Sequence, residues 1–514
     1  MPKKYDALSK SKITSGRRCP KKLWFDVHQP IKFETKATIE RGKRFGKVVI
    51  KNYTKGNGKF LDLTDVWANR VNRTKQAINS DDINVIFEGA FEYLNTEVRT
   101  DVLIRKKKGW ELLEAKSATK FKPEEHIPDI AIQSFIVREC MKQLGHDLIS
   151  SKLIHINKNF TLENDGDYKD LVNDENDITS EIIEIEKEIP NYIKDLMPLT
   201  NENLPCPDVE MGNHCKKPYD CDYQDKCKSL LPKSNVTPYT ILPYIGSDKE
   251  LQEYMKKKET MDLQKVPSKF FKDRKDYAPG YHKIIQDADK NKEPWFGPNL
   301  KNVFKEFSFP FYFMDFETIM QGVPIIKGTQ PYYPLPFQWS VHKWESIDKE
   351  INKGESFLKF KDQDIERQFI ERLLKAVGEN GTVFVHHAGF EKKILNNLKE
   401  KDNCKNLVDK IDKLINRVED TYVIAKKNFY SPPMNGEYGI KSIIKAISDS
   451  GISYEEKDNI AGGDEAQLAW FIYTDSKTSN KDKEKQKELL IDYCSKDTLA
   501  VYYLVKYLME KTKT

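Results

Sequence analysis

The chain has 514 residues, too many for one ordinary hydrophobic core, so two or three domains are expected. Charged residues make up 32% and mean hydropathy is −0.68, while 11% aromatics leave enough large apolar groups for cores. No apolar run of about 18 residues and no apolar segment behind the charged start exist, so a spanning helix or a secretory leader is not expected, and the expectation is a cytoplasmic protein without a membrane partner. The balance of 85 basic to 80 acidic residues permits a nucleic-acid partner without arguing for one.

In chain order, a helix is expected over Ser9–Phe25, then a charged segment around Glu40–Gly46. Alternating strands follow at 85–105 and 110–116, a helix at 128–143, a strand at 150–156, a polar loop at 162–180 and an amphipathic helix at 181–197. Residues 231–305, rich in Lys, Pro and Asp, read as a helical connector. A second core opens at Phe307 with an apolar strand, continues with strands at 336–344 and 382–388 and helices at 364–377 and 390–400, and closes with a helix at 483–511. Strands interleaved with helices in both halves make the fold class α/β.

Two constellations carry chemistry. Asp101 lies on one strand and Glu114 and Lys116 on its hairpin partner, two apart and therefore on one face. Two such carboxylates hold Mg²⁺ or Mn²⁺ through oxygen, and the lysine serves the attacking water or the phosphate. Glu88 is a further candidate ligand and Gln133, on the next helix, a candidate support. By itself the spacing also fits two solvated strand-edge charges. Around this pair stand Cys19 and, two hundred residues on, Cys215, Cys221 and Cys227 at six-residue steps. Clustered thiols in a reducing compartment more often bind metal than pair, and the steps suit the two- to four-residue spacing of zinc modules less well. Cys206 is an additional candidate; Cys140, Cys404 and Cys494 read as ordinary thiols.

The second constellation is Asp315-Phe-Glu317 at the end of an apolar strand, the opening of a two-metal site. Phe390-Glu391 begins a helix after the strand at 382–388. Tyr493 and Asp497 share a helical face four residues apart, and a phenol there can place the attacking water. His386 and His387 read as a strand end, Trp339 and Trp344 as core, and the lysines at 105–108 and 479–487 as solvated faces.

Leu8-Ser-Lys-Ser-Lys-Ile-Thr-Ser-Gly-Arg-Arg-Cys19-Pro-Lys-Lys-Leu-Trp, with the acid, the E-x-K and the downstream Gln, resembles RecB-type nucleases of the PD-(D/E)XK superfamily, in particular CRISPR-adaptation exonucleases with an iron–sulfur staple. The resemblance implies a [4Fe–4S] cluster on Cys19, Cys215, Cys221 and Cys227 and catalysis by Asp101, Glu114, Lys116 and Gln133. Many members carry a His where this chain has Gly46. The order D-x-E, F-E, Y-x(3)-D resembles the tyrosine subtype of DEDD exonucleases of the ribonuclease-H-like fold, implying catalysis by Asp315, Glu317, Glu391, Tyr493 and Asp497, with Glu391 where the family has Asp and Asp420 as a supporting acid. Together, and with Gly328-Thr-Gln-Pro-Tyr, Pro336-Phe-Gln-Trp-Ser and Tyr438-Gly-Ile-Lys441, the halves resemble a bacterial family joining these two domains, here at 1–230 and 306–514. The implied function is a metal-dependent nuclease at nucleic-acid ends, DNA favoured and RNA possible. The rival is a binding or assembly protein with one or both sites degenerate, which Gly46 and Glu391 favour.

Overall fold

The computed structural model describes residues 7–31, 36–230, 235–447, 450–454, 460 and 462–512. The chain divides into two compact units, one of residues 1–232 with 321–333, the other of 233–320 with 334–514. The junction read at 230/231 adjoins residues 231–234, which lie outside the described residues. Each unit is mixed α/β. Among the described residues no helix is long and apolar enough to cross a membrane.

The first unit runs β1 (Leu8–Ser9), α1 (Lys10–Arg18), α2 (Pro20–His28), α3 (Ala37–Thr54), β2 (Lys59–Asp62), α4 (Arg70–Ile78), β3 (Ile83–Tyr93), β4 (Thr96–Lys106), β5 (Gly109–Lys116), α5 (Pro123–Gln143), β6 (Leu148–Ile156), β7 (Val172–Asp177), α6 (Thr179–Glu186), α7 (Ile189–Leu196) and α8 (Gln224–Ser229). Its sheet has the order β2-β3-β4-β5-β6-β7, with β1 beside β4. Strands β3, β4 and β5 form an antiparallel meander. The first turn is the two-residue pair Leu94-Asn95, both at positive φ, as the right-handed twist of a tight hairpin requires. Helix α5 buries Ile130, Ile132, Ile136 and Val137 and returns the chain to β6, parallel to β5.

Several elements differ from the sequence expectation. The helix expected over Ser9–Phe25 is two helices, because Cys19 is extended (φ −163°, ψ 115°) and Pro20 opens the next. The charged segment at 40–46 lies inside α3, which buries Phe45, Val48 and Val49 on a narrow stripe and turns its charges outward. Polar residues 162–180 contain β7, an edge strand held by backbone pairing to β6, which needs no apolar alternation. The helix at 181–197 breaks into α6 and α7 ahead of Pro190. Within α1, Gly16 lets the helix approach α7 closely: a Cβ there would lie 2.7 Å from Leu196.

The second unit runs α9 (Lys249–Lys257), α10 (Tyr281–Asn291), β8 (Trp295–Phe296), α11 (Leu300–Val303), β9 (Phe311–Met320), β10 (Pro334–Trp344), β11 (Glu355–Leu358), α12 (Ile365–Ala376), β12 (Thr382–Val385), α13 (Ala388–Lys399), α14 (Val408–Asn416), β13 (Val418–Asp420), α15 (Thr421–Asn428), β14 (Phe429–Tyr430), α16 (Ile440–Lys445), α17 (Gly463–Thr474) and α18 (Asn480–Lys511). The main sheet has the order β11-β10-β9-β12-β13, with β9, β12 and β13 parallel and β10 and β11 antiparallel. Strand β9 buries Phe311, Phe313, Met314 and Phe316, as a central strand covered on both faces must. Residues 231–305, read above as a connector, contribute Tyr239, Leu251, Leu263, Tyr281 and Ile285 to the same core as Phe311 and Phe313, and β8 pairs with β14.

Candidate metal centres

In the first unit the β4–β5 register sets Val102 opposite Leu113, which brings Asp101 and Glu114 opposite each other one step further on. Asp101 Oδ2 accepts the Ala115 N–H at 2.6 Å. Glu114 is 3% exposed. Its Oε1 accepts from Lys116 Nζ at 2.9 Å and from Lys10 Nζ at 2.7 Å, while its Oε2 is buried without a hydrogen-bond partner. Burial works against the Glu114 charge, yet Lys10 and Lys116 hold its carboxyl down to about 2. Burial, with Glu114 alongside, pushes Asp101 up to about 8. The two acids are therefore differentiated, and Asp101 is relieved when a cation neutralises the pair.

The other expected residues take clear positions. Gln133 is fully buried; its Nε2 donates to Arg99 O at 2.5 Å and its Oε1 accepts from Lys10 at 3.3 Å, so it supports Lys10. Glu88, at positive φ, faces Arg70 at 3.8 Å, and burial raises its carboxyl. A Cβ added at Gly46 meets nothing within 4 Å, so the place of the absent His is open space. Asp129, missed in the sequence, bonds Lys116 Nζ at 2.5 Å. It precedes Gln133 by four residues on α5, a spacing that marked a shared face. Lys10 was missed because nothing in Ser9-Lys-Ser separates it from the other lysines.

Cys19, Cys215, Cys221 and Cys227 line one pocket with Phe25, Met211, His214 and Tyr223. All four are free thiols. Cys221 N–H donates to Cys215 O at 2.8 Å, and Arg18 Nε donates to His214 O at 2.7 Å, tying the end of α1 to the distant cysteine loop. Cys206 does not line this pocket; its thiol turns to Pro207 O at 3.9 Å.

In the second unit, β9 presents Asp315 and Glu317 and α18 presents Asp497. One ligand oxygen from each lies within 4.8 Å of the others, and this is the one such acid, His or Cys group among the described residues. Burial pushes Asp315 well up, with Asp497, Glu317 and Glu391 adding to it; burial and Asp497 push Glu317 up to about 8 against Lys441. Tyr454 OH donates to Asp497 Oδ1 at 2.7 Å, and Tyr493 stands one turn before Asp497 on α18. Lys441 Nζ sits 4.9 Å from the Tyr454 ring and 5.1 Å from that of Tyr493. Tyr454 comes from irregular chain and had no sequence signal. Glu391 raises Asp315 and Glu317 electrostatically but stands outside the 4.8 Å group. Asp420, expected as a supporting acid, accepts the N–H groups of His387, Ala388 and Tyr422 at 3.1, 3.0 and 2.9 Å and so caps α13 and α15. His386 bonds Thr421 and the Tyr438 carbonyl, and Trp339 bonds Phe369 O inside the core.

Glu391 gives a stability test. It is 3% exposed, its Oε2 has no partner, and burial raises it to about 8 from an ordinary 4.5. The folded state keeps a proton that the unfolded state has lost, so stability falls as pH rises from about 4.5 to about 8. Glu391→Gln should remove that fall and stabilise the metal-free protein at pH 8 by on the order of 2–4 kcal/mol. Thermal melts from pH 5 to pH 8 check it: an equal decline in variant and parent contradicts the assignment.

Fold and sites together describe a two-unit α/β protein with a carboxylate pair in one unit and a carboxylate triad in the other. The model of one family, described as "Domain of unknown function (DUF2779)", matches residues 312–439, which include Asp315, Glu317, Glu391 and Asp420 but not Tyr493 or Asp497. No curated protein matches the chain.

Proposed function

We propose that the chain is a metal-dependent nuclease that hydrolyses phosphodiester bonds at nucleic-acid ends, DNA in preference to RNA, in the cytoplasm. In this reading the first unit is a PD-(D/E)XK nuclease and the second a ribonuclease-H-like 3′–5′ exonuclease. The observation that carries it is the convergence of Asp315, Glu317 and Asp497 to within 4.8 Å, with Tyr493 one turn before Asp497 on the same helix. Three acids this close, with Asp497 raising both Asp315 and Glu317 and Glu317 raising Asp315, are unfavourable as a purely structural group and become favourable when divalent cations neutralise them. Mg²⁺ or Mn²⁺ held there, and at Asp101 and Glu114, would supply a metal-bound nucleophile and stabilise the leaving oxygen. Of the chain's own groups, the Tyr493 hydroxyl orients water against Asp497, Lys441 offers positive charge to a phosphate, and Lys116 does the same in the first unit.

In the same reading Cys19, Cys215, Cys221 and Cys227 would hold a [4Fe–4S] cluster as a structural staple; what supports it is that the four free thiols line one pocket. The rival, a binding or assembly protein, is favoured by Glu391 standing outside the triad and by the open place at Gly46. End-labelled single- and double-stranded DNA and RNA, incubated with Mn²⁺, separate the readings. Shortening is expected for the parent, and Glu114→Ala and Asp315→Ala should each remove part of it. Activity surviving both substitutions contradicts the sites, and no activity in the parent supports the rival.

A further inference from the structure

We infer that Lys10 is a positioning residue that makes a divalent cation and a phosphodiester bind the Asp101–Glu114 centre as a pair. This rests on the nuclease reading of the first unit. Lys10 opens α1, and its Nζ lies 2.7 Å from Glu114 Oε1, 3.3 Å from Gln133 Oε1 and 3.5 Å from Asp129 Oδ2. Lys116 Nζ reaches the same Glu114 oxygen at 2.9 Å and Asp129 at 2.5 Å. Two ammonium groups on one carboxylate oxygen fix the rotamer and leave the other oxygen, Oε2, buried and unpartnered. That atom is what a cation would meet.

The charges decide what the second lysine adds. With a cation bound, Asp101, Glu114 and Asp129 are three negative charges against Lys10 and Lys116. The flanking ions cancel, Glu88 against Arg70 at 3.8 Å and Glu97 against Arg99 at 3.6 Å, and burial keeps His126 neutral. The protein groups therefore sum to one negative charge. A divalent cation alone turns this into an excess positive charge, and one phosphodiester returns it to zero. An uncompensated charge is costly in a buried site, so each ligand binds better with the other present. Without Lys10 a cation alone balances the site, and a phosphodiester then brings excess negative charge. Lys10 thus weakens binding of the cation by itself and couples it to substrate, a coupling that linkage makes reciprocal.

The test uses the full chain carrying Asp315→Asn and Asp497→Asn, so that the other acid group is silenced, and titrates Mn²⁺ by electron paramagnetic resonance with and without a phosphorothioate oligodeoxynucleotide. With Lys10 present, the oligonucleotide should tighten Mn²⁺ binding by about tenfold or more, and Mn²⁺ should tighten the oligonucleotide equally. Lys10→Met should bind Mn²⁺ alone about tenfold more tightly and lose most of the coupling, while Lys10→Arg, which keeps the charge, should restore it. Coupling absent with Lys10 in place, or intact in Lys10→Met, overturns the inference; so does Mn²⁺ binding that weakens in a folded Lys10→Met. If Lys10→Met does not fold, Lys10→Gln is read by the same criteria, and coupling absent with Lys10 in place overturns the inference without either variant. Glu114→Gln separates the levels: Mn²⁺ binding indifferent to it removes the nuclease reading, whereas binding that depends on Glu114 but shows no role for Lys10 removes only this inference.

Discussion

Asp315→Asn should lower 3′-end shortening by the second unit by on the order of 10³-fold and at the same time stabilise the metal-free protein. The two effects share one cause. Asp315 lies half-buried in the middle of β9, which runs on to Met320 instead of ending at the acids as the sequence suggests; loss of solvent pushes its carboxyl up, and Asp497, Glu317 and Glu391 add to it. Its near neighbour Cys494, with Sγ 3.6 Å from Asp315 Oδ2, offers only a weak thiol donor. None of these contacts neutralises Asp315, and Lys441 offsets only part of the charge on Glu317 and Asp497, so the folded chain carries repulsion until a cation arrives. The amide keeps the shape, removes one charge and removes one ligand. The sign with pH follows: the folded state holds the Asp315 proton above the ordinary 3.8, so stability falls as pH rises past that value, and the gain from Asn is absent below about pH 4 and grows above it. At neutral pH the gain should be about 1–3 kcal/mol. Mn²⁺ should then raise the melting temperature of the parent more than that of the variant. The measurements are time courses on 5′-labelled single-stranded DNA in a Glu114→Ala background, and melts with and without Mn²⁺. A rate within tenfold of the parent would remove Asp315 from catalysis. Stabilisation without any lost activity would mark the triad as a relic.

How far the sequence revealed these sites depends on the distance over which the fold gathers them. Asp101, Glu114 and Lys116 were readable because a tight turn at Lys107-Lys108 fixes their register, so spacing along the chain equals placement in the sheet. Asp315 and Glu317 were readable because both sit on one strand, and Tyr493 and Asp497 because both sit on one helix. Lys10 is 104 residues from Glu114, and no local period links a helix start to a distant strand. Tyr454 lies in irregular chain, where neither period applies. Asp420 shows the opposite failure: an acid before Thr-Tyr is also what a helix N-cap requires, and its three backbone donors show that capping is where its oxygens are spent. In the fold, α3 and β7 escaped notice for one physical reason. Their stability comes from a narrow buried stripe or from backbone pairing, and both leave the outward face free to carry charge.

Cys19→Ser should disable the first unit while leaving the second intact. Cys19 ends α1 in an extended conformation and lines the pocket that Cys215, Cys221 and Cys227 complete from two hundred residues away. One observed interaction and one proposed one join these segments. Arg18 donates to the His214 and Tyr219 carbonyls, contacts worth about 1 kcal/mol each. In the proposed cluster-bound protein, thiolate ligation of a metal group that binds only the folded chain would add its binding free energy to folding, on the order of 10 kcal/mol. Such ligation would outweigh the arginine contacts, so losing one thiolate should cost far more than losing the arginine. Protein purified without oxygen should be brown, with absorbance near ~400 nm. Cys19→Ser should lose the colour and melt the first unit earlier, whereas Cys140→Ser and Cys206→Ser, outside the pocket, should keep both. Stoichiometric zinc without iron would replace the cluster with a different staple, and a colourless, metal-free parent would remove the staple altogether. The same helix decides which activity suffers. It begins at Lys10, on Glu114, and ends at Cys19, in the thiol pocket, so a loosened α1 withdraws one of the two cations that orient Glu114. Activity that depends on Glu114 should therefore fall in Cys19→Ser, while activity that depends on Asp315 should persist; equal loss of both would mean that the thiols serve the whole chain rather than the first unit.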